Sequence, residues 1–401
     1  MSALAIHLFD QGNKVMGYDK TPSTITSHLM DMGISVIFDA SVSAIPDDYC
    51  QQGTQIIYTP AVPSEHPQLR FFSSRGNEIK KRAQVLGEIT KGSIVFAIAG
   101  THGKTTTASF LTHLFAHLNL EFTAFLGGIM KQYQSNIIQK GSRYFIVEAD
   151  EYDQSFLQLH PDYACITATD ADHLDIYGDH ANMKKAFIQF SERVTQKIVV
   201  AQGVDINGIG YSVDDKTNYF ARNILASEQG YHFDLVTPSR IYNNVYLKSI
   251  GEHNLSNAIG ALAILDTAGF PVEEALPALG HFEGIHRRME VFSLYDKLII
   301  DDYAHHPKEI KAVLNTVSEF FPNKKNMVVF QPHLFSRTQN FMEGFVEVLD
   351  QFDEIVLMDI YPAREQPIAG VNSDILLGYI NNQNKRKISE KDFKNTLTNS
   401  T

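Results

Sequence analysis

Residues 94–107 read Ile94-Val-Phe-Ala-Ile-Ala99-Gly100-Thr101-His102-Gly103-Lys104-Thr105-Thr106-Thr107. Six apolar residues without a polar break predict a strand buried on both faces, as in a parallel sheet. The run stops at a glycine-bounded turn, and the periodicity from Lys104 to about Leu118 predicts a helix. Backbone N–H groups in such a turn converge on a phosphate, and the helix N-terminal dipole adds to the attraction. Gly100, Thr101, His102, Gly103 and Thr106 would form the cradle. Lys104 would neutralise β- and γ-phosphate charge, and Thr105 would ligate Mg2+. The general phosphate loop has four residues between its first Gly and Gly-Lys; here Gly100 and Gly103 enclose two. The competing reading is a plain helix start with a surface lysine.

Working outward, other predicted strands also end in chemistry. Tyr144 to Val147 runs into Glu148-Ala-Asp150-Glu151. A carboxylate at a strand end beside a phosphate loop is the usual magnesium partner, and Glu148 adjoins the apolar run. Tyr163 to Thr167 is followed by Asp170-Ala-Asp172-His173-Leu-Asp175, which suits a second metal, a polarised substrate or a hydrated turn. Gly251-Glu-His253-Asn254-Leu-Ser-Asn257 opens an Ala-rich helix. Its amides offer donor and acceptor together, as an adenine edge requires; capping by Asn254 is the simpler alternative. Arg287-Arg288, Asp301-Asp302-Tyr303-Ala-His305-His306-Pro307 and Gln331-Pro-His333-Leu-Phe-Ser-Arg337 bring cations and imidazoles to strand ends. Those groups suit a carboxylate and developing phosphate charge.

Alternating strands and helices predict α/β structure throughout, as three open sheets in series over 1–88, 89–283 and 284–401. The first block has helices Ser2 to Gln11 and Ser23 to Met32, with strands Lys14 to Tyr18, Val36 to Phe38 and Gln55 to Tyr58. The last has strands Lys297 to Ile300, Asn326 to Phe330 and Glu354 to Met358, helices Pro307 to Phe320 and Arg337 to Leu349, and a polar tail from Asn381. The 401 residues carry a net charge of −12, which argues against coating nucleic acid. No apolar run approaches the roughly 18 residues of a membrane span. Cys50 and Cys165 are the only cysteines, too few for a disulfide framework or a thiolate metal site. No basic stretch followed by an apolar core opens the chain, so a cytoplasmic location is expected.

Together these strings resemble the Mur ligase family, ATP-dependent amide-forming enzymes of peptidoglycan precursor synthesis. The strings are Gly100 to Thr107, Glu148 to Asp153, Ala171 to Gly178, Asp301 to Pro307, Gln331 to Thr338 and Asp359 to Glu365. The short Gly-Thr-x-Gly-Lys-Thr spacing is the family's own. The resemblance implies a Rossmann-like UDP-sugar domain, a central phosphate-loop ATPase domain and a Rossmann-like amino-acid domain. It implies ATP and Mg2+ as cofactors, with UDP-N-acetylmuramate and L-alanine joined through an acyl phosphate. Lys104 and Thr105 would hold phosphate and metal, Glu148 the first Mg2+ and His173 the second. His253, Asn254 and Asn257 would meet the adenine, Arg287 or Arg288 a phosphate, and Tyr303, His305 and Arg337 the amino acid. Lys104, Glu148, His173 and Arg337 would act on the reacting groups. The family's Gly-rich loop would precede Met1, and the family continues with more of the last domain where this chain has its polar tail, so the outer two blocks are expected to be clipped, with Asp19 and Thr59 as the remaining uridine-diphosphate contacts. Leu334 stands where some members have Arg, which puts carboxylate recognition on Arg337. Lys184 and Lys185 read as exposed helix lysines rather than a carbamylated metal bridge. A ligase that recycles murein tripeptide, and an inactive nucleotide-binding remnant, are the alternatives.

Overall fold

The computed structural model describes residues 1–393 except 173, 215, 228, 295, 296 and 364. Its centre is a ten-stranded sheet, ordered Ile241–Leu247, Gly230–Val236, Tyr219–Ser227, Ile209–Val213, Lys197–Ala201, Tyr163–Ile166, Ile94–Ala99, Tyr144–Glu148, Phe122–Met130 and Ser135–Gln139. The seven strands from Tyr219–Ser227 to Phe122–Met130 in that order pair in parallel. Antiparallel partners close both edges.

The strand Ile94–Ala99 lies in the middle, and its side chains alternate between two cores. Phe96 and Ile98 join the cluster made with the helices Lys104–His117 and Glu252–Thr267. Val95, Ala97 and Ala99 join the cluster made with the helices His180–Ser191 and Ser2–Asp10. Both faces are therefore covered, which explains the unbroken apolar run. All parallel strands end on the same side, and the turn at 100–103 opens there.

The flanking regions depart from one open sheet apiece. In the first, Met16–Tyr18 pairs with Ser35–Ile37, and Ile56–Tyr58 pairs with Ile79–Lys81. These are two separate parallel pairs of three-residue strands, too short to bury a broad common face. In the last, the antiparallel hairpin Glu290–Leu294/Lys297–Asp301 stands apart from a three-stranded parallel sheet of Met327–Phe330, Glu354–Leu357 and Lys385–Lys387. The third of those strands lies inside the expected polar tail. Lys-Arg-Lys carries no apolar pattern, so its pairing with Ile355–Leu357 had no sequence signal. The expected helix Arg337–Leu349 is two helices, Phe335–Asn340 and Met342–Leu349. Phe341, at φ −118° and ψ 22°, breaks it and lays its ring 4.5 Å from that of His306. Pro307–Phe320 is a helix as expected, with Pro307 in its first turn. Among the described residues, no helix is long and apolar enough to cross a membrane.

Candidate functional site

The turn after Ile94–Ala99 needs its glycines for two reasons. Gly100 and Gly103 have φ of 136° and 80°, where a side chain is strained. A Cβ at Gly100 would lie 2.2 Å from Thr167 Oγ1, and one at Gly103 would lie 2.5 Å from Asn257 Oδ1. The loop is thus pressed against the next strand end and the helix Glu252–Thr267. Thr107 Oγ1 donates to Asn257 Oδ1 at 3.2 Å from beneath.

Three charged groups meet at this loop, Lys104 from its own helix and Glu148 and Glu151 from the neighbouring strand end. Lys104 Nζ donates to Gly100 O at 2.5 Å and to Glu151 at 2.8 Å. Burial opposes its charge, but Glu151, Asp150 and Glu148 together raise its pKa. Lys104 is therefore an ammonium group held at the helix start, beside the glycine turn. Burial pushes Glu151 up to about 7, against the pull of Lys104. Glu148 accepts from Thr105 Oγ1 at 2.9 Å and from Gly127 N–H at 2.6 Å. One hydroxyl and one carboxylate, fixed by backbone, form a hard oxygen pair. Mg2+ prefers such ligands and takes its remaining ones from water and phosphate, so these residues fit it.

A cleft of about 580 Å³ spreads over the loop. Thr101 to Thr106, Glu148, His253, Asn254 and Asn257 line one wall, and Arg288, Tyr303, His305 and Arg337 line another. The amides face the cleft but are partly committed to the chain. Asn254 Nδ2 donates to Ile250 O at 2.8 Å, and Asn257 supports Thr107. Asn254 does not cap its helix; Gly251 occupies that position. Burial, with Arg288 adding to it against Glu309, pushes His253 down to about 4, so its imidazole is neutral near pH 7.

On the far wall, Arg337 is buried and forked onto Asp172, with Nη2 at 3.1 Å from Oδ1 and 3.4 Å from Oδ2. His305 Nδ1 lies 2.9 Å from Tyr303 O. The Tyr303 ring sits under the guanidinium groups of both Arg287 and Arg288, at 4.8 and 5.2 Å. Arg287 does not line the cleft. Thr59 does, from the first region, whereas Asp19 lies outside it and accepts from Thr21 N–H at 3.2 Å. Asp19 sits at the exposed end of a short strand, which explains its absence from the cleft. His173 falls outside the described residues. Lys184 and Lys185 are exposed on their helix.

The chain that carries this geometry matches known families over most of its length. Residues 1–93 match the model described as Mur ligase family, catalytic domain; 98–265 match the Mur ligase middle domain; and 287–397 match the Mur ligase, glutamate ligase domain. The chain belongs to the Mur ligase family. It is 46% identical over 396 residues to UDP-N-acetylmuramate–L-alanine ligase of Flavobacterium johnsoniae, covering 98% of this chain and 88% of that one. The corresponding Porphyromonas gingivalis ligase is 41% identical, with 98% and 89% covered. Among solved structures, UDP-N-acetylmuramate-alanine ligase from Thermotoga maritima superposes with a TM-score of 0.84 at 28% identity, covering 98% and 89% of the two chains. A murein peptide ligase from Psychrobacter arcticus shares the fold, with a TM-score of 0.75 at 21% identity and 100% and 91% covered.

Several residues of this Mur ligase site escaped the reading of strings one at a time. Asp302 is half-buried and accepts from Met289 N–H at 2.7 Å and Ala304 N–H at 2.8 Å; desolvation pushes it up to about 6. Asp172 matters as the partner of Arg337, and Glu151 as the partner of Lys104. Glu309 had a readable signal, a glutamate three residues after His306, which forms a capping box. Its reach to the phosphate loop had none.

Proposed function

We propose that this chain uses ATP to join L-alanine to the carboxylate of UDP-N-acetylmuramate, in peptidoglycan precursor synthesis in the cytoplasm. Its resemblance to two ligases of that name along nearly its whole length supports the reading. The observation that carries it is the facing of Lys104, Thr105 and Glu148 by Tyr303, His305 and Arg337 across one cleft. The sugar carboxylate attacks the γ-phosphate of ATP, giving an acyl phosphate and ADP. The amine of L-alanine then attacks the acyl carbon, and phosphate leaves. No protein nucleophile is required; positioning and charge neutralisation carry the reaction.

In this reading residues 1–88 receive the sugar nucleotide, 89–283 the ATP and 284–401 the amino acid. Lys104 exchanges Glu151 for phosphate oxygens. Thr105 and Glu148 would hold Mg2+, which neutralises phosphate charge when bound. His173 is assigned a second Mg2+ on the motif match alone. The half-buried, neutral His253 and the two amides bound the nucleotide pocket, and Arg288 faces its phosphates. Arg337, already aligned by Asp172, faces the alanine carboxylate.

The test is release of phosphate with each substrate omitted in turn. Release that requires ATP, UDP-N-acetylmuramate and L-alanine together is expected. Release indifferent to both non-nucleotide substrates would sink the proposal. Faster turnover with murein tripeptide than with alanine would replace it by the recycling reaction. Calorimetry showing ATP binding without sugar-nucleotide binding would replace it by a nucleotide-binding remnant.

A further inference from the structure

Two side-chain pairs tie the phosphate loop to the far wall. His102, inside the loop, places Nδ1 3.1 Å from Glu309 Oε1, with both side chains largely buried. Asp170, beyond the strand Tyr163–Ile166, pairs with Lys308. The second pair is also anchored to the loop: Asp170 N–H donates to Thr101 Oγ1 at 3.1 Å, and the Asp170 carboxylate lies 3.6 Å from His102 Nε2. Glu309 uses its other oxygen to accept the N–H groups of His305 at 2.9 Å and His306 at 3.2 Å. One carboxylate therefore grips the loop with one oxygen and the turn 303–306 with the other.

We propose that Glu309 and Lys308 are positioning residues that latch the turn Tyr303–His306 over the phosphate loop, with His102 and Asp170 as the two sockets. This assigns the His102 side chain to the latch rather than to the nucleotide. The chemistry gives the latch a purpose. The acyl phosphate forms over the loop, while the attacking amine is held by the far wall. Misplacement by about 1 Å costs as much as 10²-fold in such a step. Backbone does not set this distance, because the paired residues lie 207 and 138 positions apart. Burial alone would raise the Glu309 carboxyl. The His102 hydrogen bond, the charges of His305 and His102 and the His305 N–H hold it well below the ordinary range, so it stays ionised and keeps its grip.

The inference rests on the ligase reading, and its test separates the two. Glu309→Gln keeps an oxygen for the helix cap but weakens the pull on His102. Lys308→Glu sets like charges against Asp170. Each is expected to lower kcat about tenfold and raise KM for alanine, with KM for ATP changed by less than about twofold. Lys308→Asp combined with Asp170→Lys restores the pair and is expected to recover kcat to within about threefold of wild type. Spin labels at Lys184→Cys and Lys324→Cys, in a Cys50→Ser background, give a readout independent of turnover. Their distance distribution is expected to be narrow in the parent and broad in Lys308→Glu and Glu309→Gln. Unchanged distances, a loss falling on KM for ATP, or a reversed pair that restores neither readout would each overturn the latch. If the wild type shows no alanine-dependent release, the ligase reading fails, while the distances still decide the latch.

Discussion

On the loop side of the cleft, Gly100, Gly103, Thr105 and Glu148 take their places from the strand and helix they sit on. On the far side, Arg337, Glu309 and Lys308 are set by partners 138 to 207 positions away. The first wall is placed largely by local chain geometry, its glycines by the turn they form and its carboxylate by the Gly127 N–H and the Thr105 hydroxyl. The second is a product of pairing, so its shape depends on charges meeting across the cleft. Damage to the loop side should remove chemistry and leave the fold. Damage to the far side should cost stability and amino-acid affinity together.

The largest effect should come from Lys104→Ala. The ammonium group proposed to meet the phosphates is lost, and turnover is expected to fall by roughly 10³-fold, the scale for removing one preorganised charge donor. Gly100, Gly103 and Thr107 hold the loop's shape beside the Lys104 contact to Gly100 O, so circular dichroism should report a folded chain, with a lower denaturation midpoint because buried Glu151 loses the Lys104 ammonium. Turnover within tenfold of wild type would break the first half of the comparison.

Arg337→Met tests the second half. It leaves Asp172 buried without its guanidinium partner. Breaking a buried pair from one side costs about 3–5 kcal/mol, readable as a lower denaturation midpoint. KM for alanine should rise more than KM for ATP. A stable variant with only a kcat defect would place Arg337 with the loop side instead.

How much of this could be read from the chain depended on how local the cause was. The strand–turn–helix at 94–118 was legible because an apolar run, two glycines and a helix start are adjacent. Glu148 was legible because it ends another apolar strand. The strand Lys385–Lys387 was not, because its three residues are basic and its support comes from Glu354–Leu357. The break at Phe341 was hidden because an aromatic residue fits a continuing helix, and its packing on His306 involves a residue 35 positions away. Asp172 and Arg337 were both quoted from their strings, but nothing in either string says that they meet. Thr59 reaches the cleft and Asp19 does not, a difference set by how two short strand pairs lie.

Next in size comes a pH effect of opposite sign on the two walls. Burial, aided by His102, pushes His306 down to about 4 from 6.5. Its depressed pKa gives a contribution to stability that is full above pH 6.5 and lost as pH falls through 4. Glu151 is raised from 4.5 to about 7, so its contribution is full below pH 4.5 and lost as pH rises through 7. Each amounts to something on the order of 1–3 kcal/mol. Urea midpoints across pH 4–8 should flatten on the acid side in His306→Asn, which keeps a capping group. They should flatten on the neutral side in Glu151→Gln. A variant that shifts the whole curve without changing its slope on the stated side would show that its group does not titrate in that window.

The smallest effect sharpens the claim that the loop wall is placed largely by local chain geometry. Thr105→Ser keeps the hydroxyl that donates to Glu148 and removes only a methyl group. That methyl lies 3.0 Å from where a Cβ on Gly128 would be, so a small cavity should open. Stability is expected to fall by about 0.5–1 kcal/mol, and turnover to stay within about threefold. Thr105→Val is the matching control, because it keeps the shape and removes the donor. Valine removes both the donor to Glu148 and the hydroxyl proposed to hold Mg2+, so it should cost more turnover than serine while denaturation midpoints stay comparable. Equal turnover in the two variants would mean that the Thr105 hydroxyl neither holds Mg2+ nor aims Glu148, and that Gly127 N–H suffices to hold the carboxylate.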